Sequence, residues 1–203
     1  MNKSTLASAV LALSMGCGSA AVMPEQGNVI PENEAKANAV LVIDMQDSFL
    51  LSLNQDERAE EIPYQIEVLN AAQRNNVPIF VVEYAGMGPT VDELTGAISA
   101  SDYNLVVKTE NNAFNNTSLD ALLKERGIHS LILMGVFASA CVHATAEGAL
   151  QNGYEIITST DVIADFHSRL WGAHHTESAE WYAKYGTLFE NHGQIVDYLD
   201  RQW

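Results

Sequence analysis

Residues 130–161 (SLILMGVFASACVHATAEGALQNGYEIITSTD) leave this chain the least freedom in what it can become. The run 131–134 (LILM) has the composition of a strand buried on both faces. Gly135 reads as its end. Ser139 reads as the cap of a helix carrying Ala140, Cys141, Val142, Ala144, Ala146, Ala149 and Leu150, and Asn152-Gly153 as its close. Residues 154–158 read as the next strand. Strand, tight turn, helix and strand in this order are the repeating unit of a parallel α/β sheet.

The same unit puts a cysteine in the first turn of a helix. Backbone N–H groups there lack helical partners and carry the positive end of the helix dipole. A thiol so placed is expected to have its pKa lowered toward neutrality, and the thiolate is the nucleophile. The same N–H groups can receive an oxyanion. The plain alternative for Cys141 alone is a small buried hydrophobe. Two other segments bear on the choice. Residues 39–44 (AVLVID) are an apolar run ending in an acid, and residues 104–108 (NLVVK) one ending in a base. In an open parallel sheet, functional groups gather outside the carboxyl ends of the strands. Asp44, Lys108 and Cys141 are therefore expected on one edge, as an acid/base and nucleophile set.

The residues 42–49 (VIDMQDSF), 107–108 (VK) and 135–142 (GVFASACV) together resemble the isochorismatase-like cysteine hydrolases. That family includes nicotinamidases and N-carbamoyl amide hydrolases. The likeness runs in order and spacing over about residues 37–200. It implies a three-layer, Rossmann-like α/β sandwich with a central, mainly parallel sheet of five to six strands. It implies a catalytic triad of Asp44, Lys108 and Cys141, a cis peptide at Val136–Phe137, and an oxyanion hole from the backbone N–H groups of Phe137 and Cys141. The expected pocket is formed by Gln46, Phe49, Glu83, Tyr84, Phe114 and Val136. Glu83 would orient Lys108 or a substrate amine, or else be a solvated strand-end acid. Phe114 would wall the pocket or merely anchor its loop. Ala138 stands where the family commonly has threonine, and Asp47-Ser48 where it has Asn-Asp. Nicotinamidases of the family carry a histidine metal site after the first strand. Residues 45–77 contain no histidine, so no metal and no other cofactor is expected here, and nicotinamidase itself is disfavoured.

The rest of the chain sets bounds. Its 203 residues suffice for one domain with a sizeable core. With 26 acidic and 10 basic side chains, the formal net charge is −16, which argues against nucleic acid and anionic membranes as main partners. A small-molecule substrate and, from the resemblance, a homo-oligomer are expected. Residues 1–20 read as a signal peptide or lipoprotein signal, cleaved near Cys17 or Ala21, and residues 21–38 as a linker before a hydrolase domain over 39–203. That makes the expected location periplasmic, or membrane-anchored through a lipidated Cys17; the alternative is an uncleaved cytoplasmic enzyme. Further helices are expected over 57–75, 90–100, 117–126, 174–185 and 194–199, with strands at 78–84, 103–108, 162–164 and 186–189. Residues 44–55 are expected as a loop over the site. Phe166, His167 and Trp171 read as part of a lid or a subunit contact. The six histidines form no recognised cluster, and His143 reads as structural. With only two cysteines and no C-x-x-C, a redox role is disfavoured. The function expected is hydrolysis of a small amide or other C–N bond through a thioester. The alternative is a non-catalytic binding module that keeps the fold.

Overall fold

Runs of apolar residues become the strands of one parallel sheet. The computed structural model describes residues 37–203 except 54, 100–102, 166, 167, 202 and 203. The expected leader with Cys17, most of the linker, and Phe166 and His167 lie outside the described residues. Strand β1 (Asn38–Ile43) is buried throughout and runs between β2 (Ile79–Tyr84) and β4 (Ser130–Val136). Beyond β2 lies β3 (Tyr103–Lys108). Beyond β4 lie β5 (Glu155–Ser159) and β7 (Thr187–Phe189), giving the order β3-β2-β1-β4-β5-β7 with every pair parallel. A two-residue strand, β6 (Ile163–Ala164), pairs with Gly135 and Val136 at the end of β4. Among the described residues the sheet thus has seven strands, where the resemblance implied five to six.

Helices complete the layers. α1 (Asp47–Leu50) and α2 (Gln55–Arg74) follow β1; α3 (Asp92–Ala97) follows β2; α4 (Leu119–Glu125) follows β3. α5 (Cys141–Gln151) joins β4 to β5 and packs on both, α6 (Ser168–Tyr185) precedes β7, and α7 (His192–Asp200) closes the chain against α2. Arg74 and Asp200 pair across that last contact at 2.7 Å. Among the described residues no helix is long and apolar enough to cross a membrane.

Several local expectations are corrected. Residues 44–55 are not all loop: Asp47–Leu50 turn once as α1, with Leu50 buried. α2 begins at Gln55, two residues before the expected 57, and holds Pro63 within it. α6 begins at Ser168, not 174. Ser139 does not cap α5. The cap position is Ala140, with no side-chain hydrogen bond, and Ser139 faces solvent. α4 spans Leu119–Glu125, within the expected 117–126, and Thr117 Oγ1 accepts the Leu119 amide at 3.2 Å.

Gly135 does not end its strand. It sits inside β4 with φ 127°, and a Cβ there would lie 2.0 Å from the Ile43 carbonyl oxygen of β1. Glycine is required for close approach of two backbones beside the site, not for termination. Gly135→Ala forces β1 and β4 apart at this point. The expected outcome is loss of at least about 3 kcal/mol of stability, by comparison with other overpacked and strained positions. Urea denaturation of the two proteins measures it.

Candidate active site

Three strand ends bring the site together. Register matters first. Tyr84 pairs with Lys108 and Val82 with Val106, so Lys108 shares a sheet face with Tyr84, Val82 and Ile43. Continuing the alternation would send Asp44 to the other face, with Glu83 and Val107. It does not continue. Asp44 has φ 55°, a left-handed conformation that aspartate tolerates better than most residues. Its amide still donates to the Val82 carbonyl at 2.9 Å, while its carboxylate meets Lys108, Oδ2 to Nζ, at 2.7 Å.

The pair is dry: Asp44 is 0 % and Lys108 1 % exposed. Lys108 Nζ also donates to the Asn111 carbonyl at 3.2 Å and lies 4.8 Å from the centre of the Tyr84 ring. Cys141 opens α5 and is 6 % exposed, with both Asp44 and Lys108 in hydrogen-bonding reach of its thiol. Apart from that ammonium and thiol, no hydrogen-bond donor among the described residues reaches either Asp44 carboxylate oxygen.

Burial decides the protonation states. It pushes the Cys141 thiol up to about 12; the Asp44 charge adds to the rise and the Lys108 ammonium opposes it. The expectation of a lowered thiol is thus corrected. A helix N-terminus is worth about 1 kcal/mol, less than one pKa unit, whereas desolvation shifts a buried group by several. Burial likewise pushes the Asp44 carboxyl above its usual range, with Lys108 pulling the other way. The resting cysteine is therefore a neutral thiol beside an acid of raised pKa.

The turn leading to Cys141 is held through its backbone. The Val136–Phe137 peptide is cis. The Ala138 amide donates to the Ala164 carbonyl of β6 at 2.8 Å, and the Ala138 carbonyl accepts from the Tyr182 hydroxyl of α6 at 3.0 Å. A hydroxyl at position 138 is not needed for either anchor. The Val142 amide returns to the Phe137 carbonyl at 3.1 Å, and the amide of Cys141 stands in the open first turn of α5.

The remaining expected pocket residues divide. Phe49 lies edge-on to both Tyr84 and Phe137, with centroids 6.0 and 5.8 Å apart, forming an aromatic cluster around the strand ends. Val136 is wholly buried in β4. Gln46, also wholly buried, is a staple. Its Oε1 accepts the Tyr84 amide at 2.8 Å, and its Nε2 donates to the carbonyls of Tyr84 and Gly88. Glu83 lies on the sheet face away from Lys108 and accepts the Thr90 amide at 2.7 Å, which fixes the loop after β2. The Phe114 ring lies tilted against that of Tyr154, with centroids 5.7 Å apart. The segment that carries it is tied to α5 by the Ala113 amide, which donates to Thr145 Oγ1 at 3.1 Å. His143 is tucked against Trp181 at 4.2 Å, as a structural residue would be. The sequence does not single out Asn111. Its Oδ1 lies 3.6 Å from Cys141 Sγ. It sits in the polar run TENN, which carries no pattern that would single it out. Among the described residues no group of three or more His, Cys, Asp or Glu is placed to hold a metal ion.

The architecture is that of known hydrolases. A cysteine hydrolase from Pseudomonas syringae pv. phaseolicola superposes with a TM-score of 0.72 at 18 % identity, covering 85 % of this chain and 96 % of the other. A nicotinamidase from Staphylococcus aureus does so at 0.68 and 22 %, covering 76 % and 98 %. In sequence, nicotinamidase 3 of Arabidopsis thaliana is 27 % identical over 160 residues, 67 % of this chain and 77 % of that protein. The Isochorismatase domain model matches residues 38–187, and the chain belongs to that family.

Proposed function

We propose that this chain hydrolyses a small amide through a thioester, with Cys141 as nucleophile, Asp44 as proton carrier and Lys108 as their fixed counter-charge. The observation that carries the reading is the 2.7 Å Asp44–Lys108 pair, buried against the only described thiol. A buried ion pair is seldom worth its desolvation as a structural element. The chain is a hydrolase of the isochorismatase-like type, acting on non-peptide C–N bonds.

The steps follow from the protonation states. As Cys141 Sγ attacks the carbonyl carbon, the thiol proton passes to Asp44. Transfer is concerted with attack, because a free thiolate is disfavoured in so dry a site. The oxyanion lies between the Phe137 and Cys141 amides, each donor worth about 3 kcal/mol in comparable sites. Asp44 hands the proton to the leaving nitrogen as the C–N bond breaks. Water then attacks the thioester, giving one proton to Asp44, which returns it to the departing sulfur. Lys108, 2.7 Å from the carboxylate, steadies Asp44 throughout.

The neutral thiol is the single observation favouring a non-catalytic binding module. The pH profile separates the two readings. Asp44 must be ionised to accept the proton, and its folded pKa is raised. Activity is then present above that pKa and lost as pH falls through it, at a pH higher than ordinary aspartate would give. Turnover of a panel of small amides, carbamoyl compounds and lactams, followed as kcat/KM against pH, is expected to show this acid limb. Absence of turnover on the whole panel would favour the binding module.

A further inference from the structure

We propose that Asn111 is a positioning residue that holds the Cys141 thiol through its side-chain carbonyl and the Lys108 ammonium through its backbone carbonyl. The inference deepens the amidase reading and rests on it for its meaning in catalysis.

The geometry is specific. The Asn111 side-chain oxygen lies 3.6 Å from Cys141 Sγ, a normal separation for a thiol donating to a carbonyl. Its backbone oxygen accepts from Lys108 Nζ at 3.2 Å and from the Thr145 hydroxyl at 3.3 Å. One residue thus touches two of the three reacting groups, and it does so from the solvent side: Asn111 is exposed, whereas Asp44, Lys108 and Cys141 are buried.

Its backbone has little room to move. The segment runs down α5 and is pinned to it. The Ala113 amide donates to Thr145 Oγ1 at 3.1 Å. The Asn112 side chain fills the space over Gly148, where a Cβ would come within 2.4 Å of it. Phe114 anchors the far end against Tyr154. What remains free is the Asn111 side chain, a polar group on a fixed post beside the thiol. In the resting site its carbonyl accepts from the S–H and so fixes where the sulfur sits; the proton turns from it to Asp44 as attack begins. The carbonyl also turns the negative end of its dipole toward the sulfur, which disfavours the thiolate.

The test measures Cys141 without any substrate. Iodoacetamide labelling of the Cys141 peptide is followed by mass against pH in the full chain, in Asn111→Ala and in Asn111→Asp. Loss of the carbonyl should lower the labelling midpoint by about half a unit, and a carboxylate in its place should raise it by about one unit. On an active substrate, Asn111→Ala should lower kcat about tenfold with KM held, since orientation of the nucleophile is lost and binding is not. Superimposed labelling profiles, absence of labelling in all three proteins included, would overturn the proposal. So would a midpoint that rises in Asn111→Ala. The labelling result is independent of the amidase reading, whose own failure would be turnover that survives removal of Cys141.

Discussion

Lys108→Met is expected to cost about 3–5 kcal/mol of stability and nearly all turnover, because it strands the Asp44 carboxylate in a dry site. The ammonium lies 2.7 Å from that carboxylate, and no other donor but the thiol reaches it. Without the lysine, Asp44 can avoid an unpaired buried charge only by taking a proton. Its folded pKa then rises further above the unfolded value. The sign follows: the deficit is smallest at acid pH, where the carboxyl is protonated in both states, and grows as pH rises toward the folded pKa. Urea melts at an acid and a neutral pH should show it. A second substitution gives the control. Asp44→Asn in the same chain removes the charge itself and should restore most of the lost stability without restoring activity. A double variant as unstable as Lys108→Met would mean that the methionine fits badly, and that the charge is not the cause.

Cys141→Ala should have the opposite pattern, a large loss of function with little loss of stability. The side chain is small, and its sulfur meets Asn111 at 3.6 Å, with Asp44 and Lys108 in reach. Removing it should change stability by about 1 kcal/mol. Turnover should fall by about a thousandfold or more, the size seen when a covalent nucleophile is deleted. Intact mass after challenge with small amides and lactams supplies the chemical evidence. The native protein should carry an adduct whose mass gives the acyl group, and Cys141→Ala none. Turnover that survives in Cys141→Ala would end the thioester mechanism. The C–N bond would then have to be broken by water activated directly at Asp44.

Much of this molecule can be read from its residues. Strands buried on both faces need unbroken apolar runs, and 39–43, 79–82 and 131–134 are such runs. Since parallel strands share one carboxyl edge, the sequence alone places the residues at three strand ends near each other. The errors come from one-letter signals that serve two purposes. Gly135 reads as punctuation but answers the close passage of Ile43. Ser139 is a good cap residue that points to solvent. The left-handed turn at Asp44, which decides the face its carboxylate takes, has no sequence cue. Nor has the direction of the thiol's shift, because burial is a property of the assembled sheet and not of the cysteine's neighbours in the chain.

That assembly has a consequence for what activity measures. The acid, the base and the sulfur hang from β1, β3 and β4, with β2 interposed between the first two. A slip of any one strand by a single residue moves its end by about 3.3 Å and turns its side chains over. The 2.7 Å contact cannot survive that. The site therefore works as a vernier for the sheet. A chain with native-like helix content and a misaligned strand would look folded to a spectrometer and remain silent in an assay, so specific activity counts only the molecules in which all four strands have found their register.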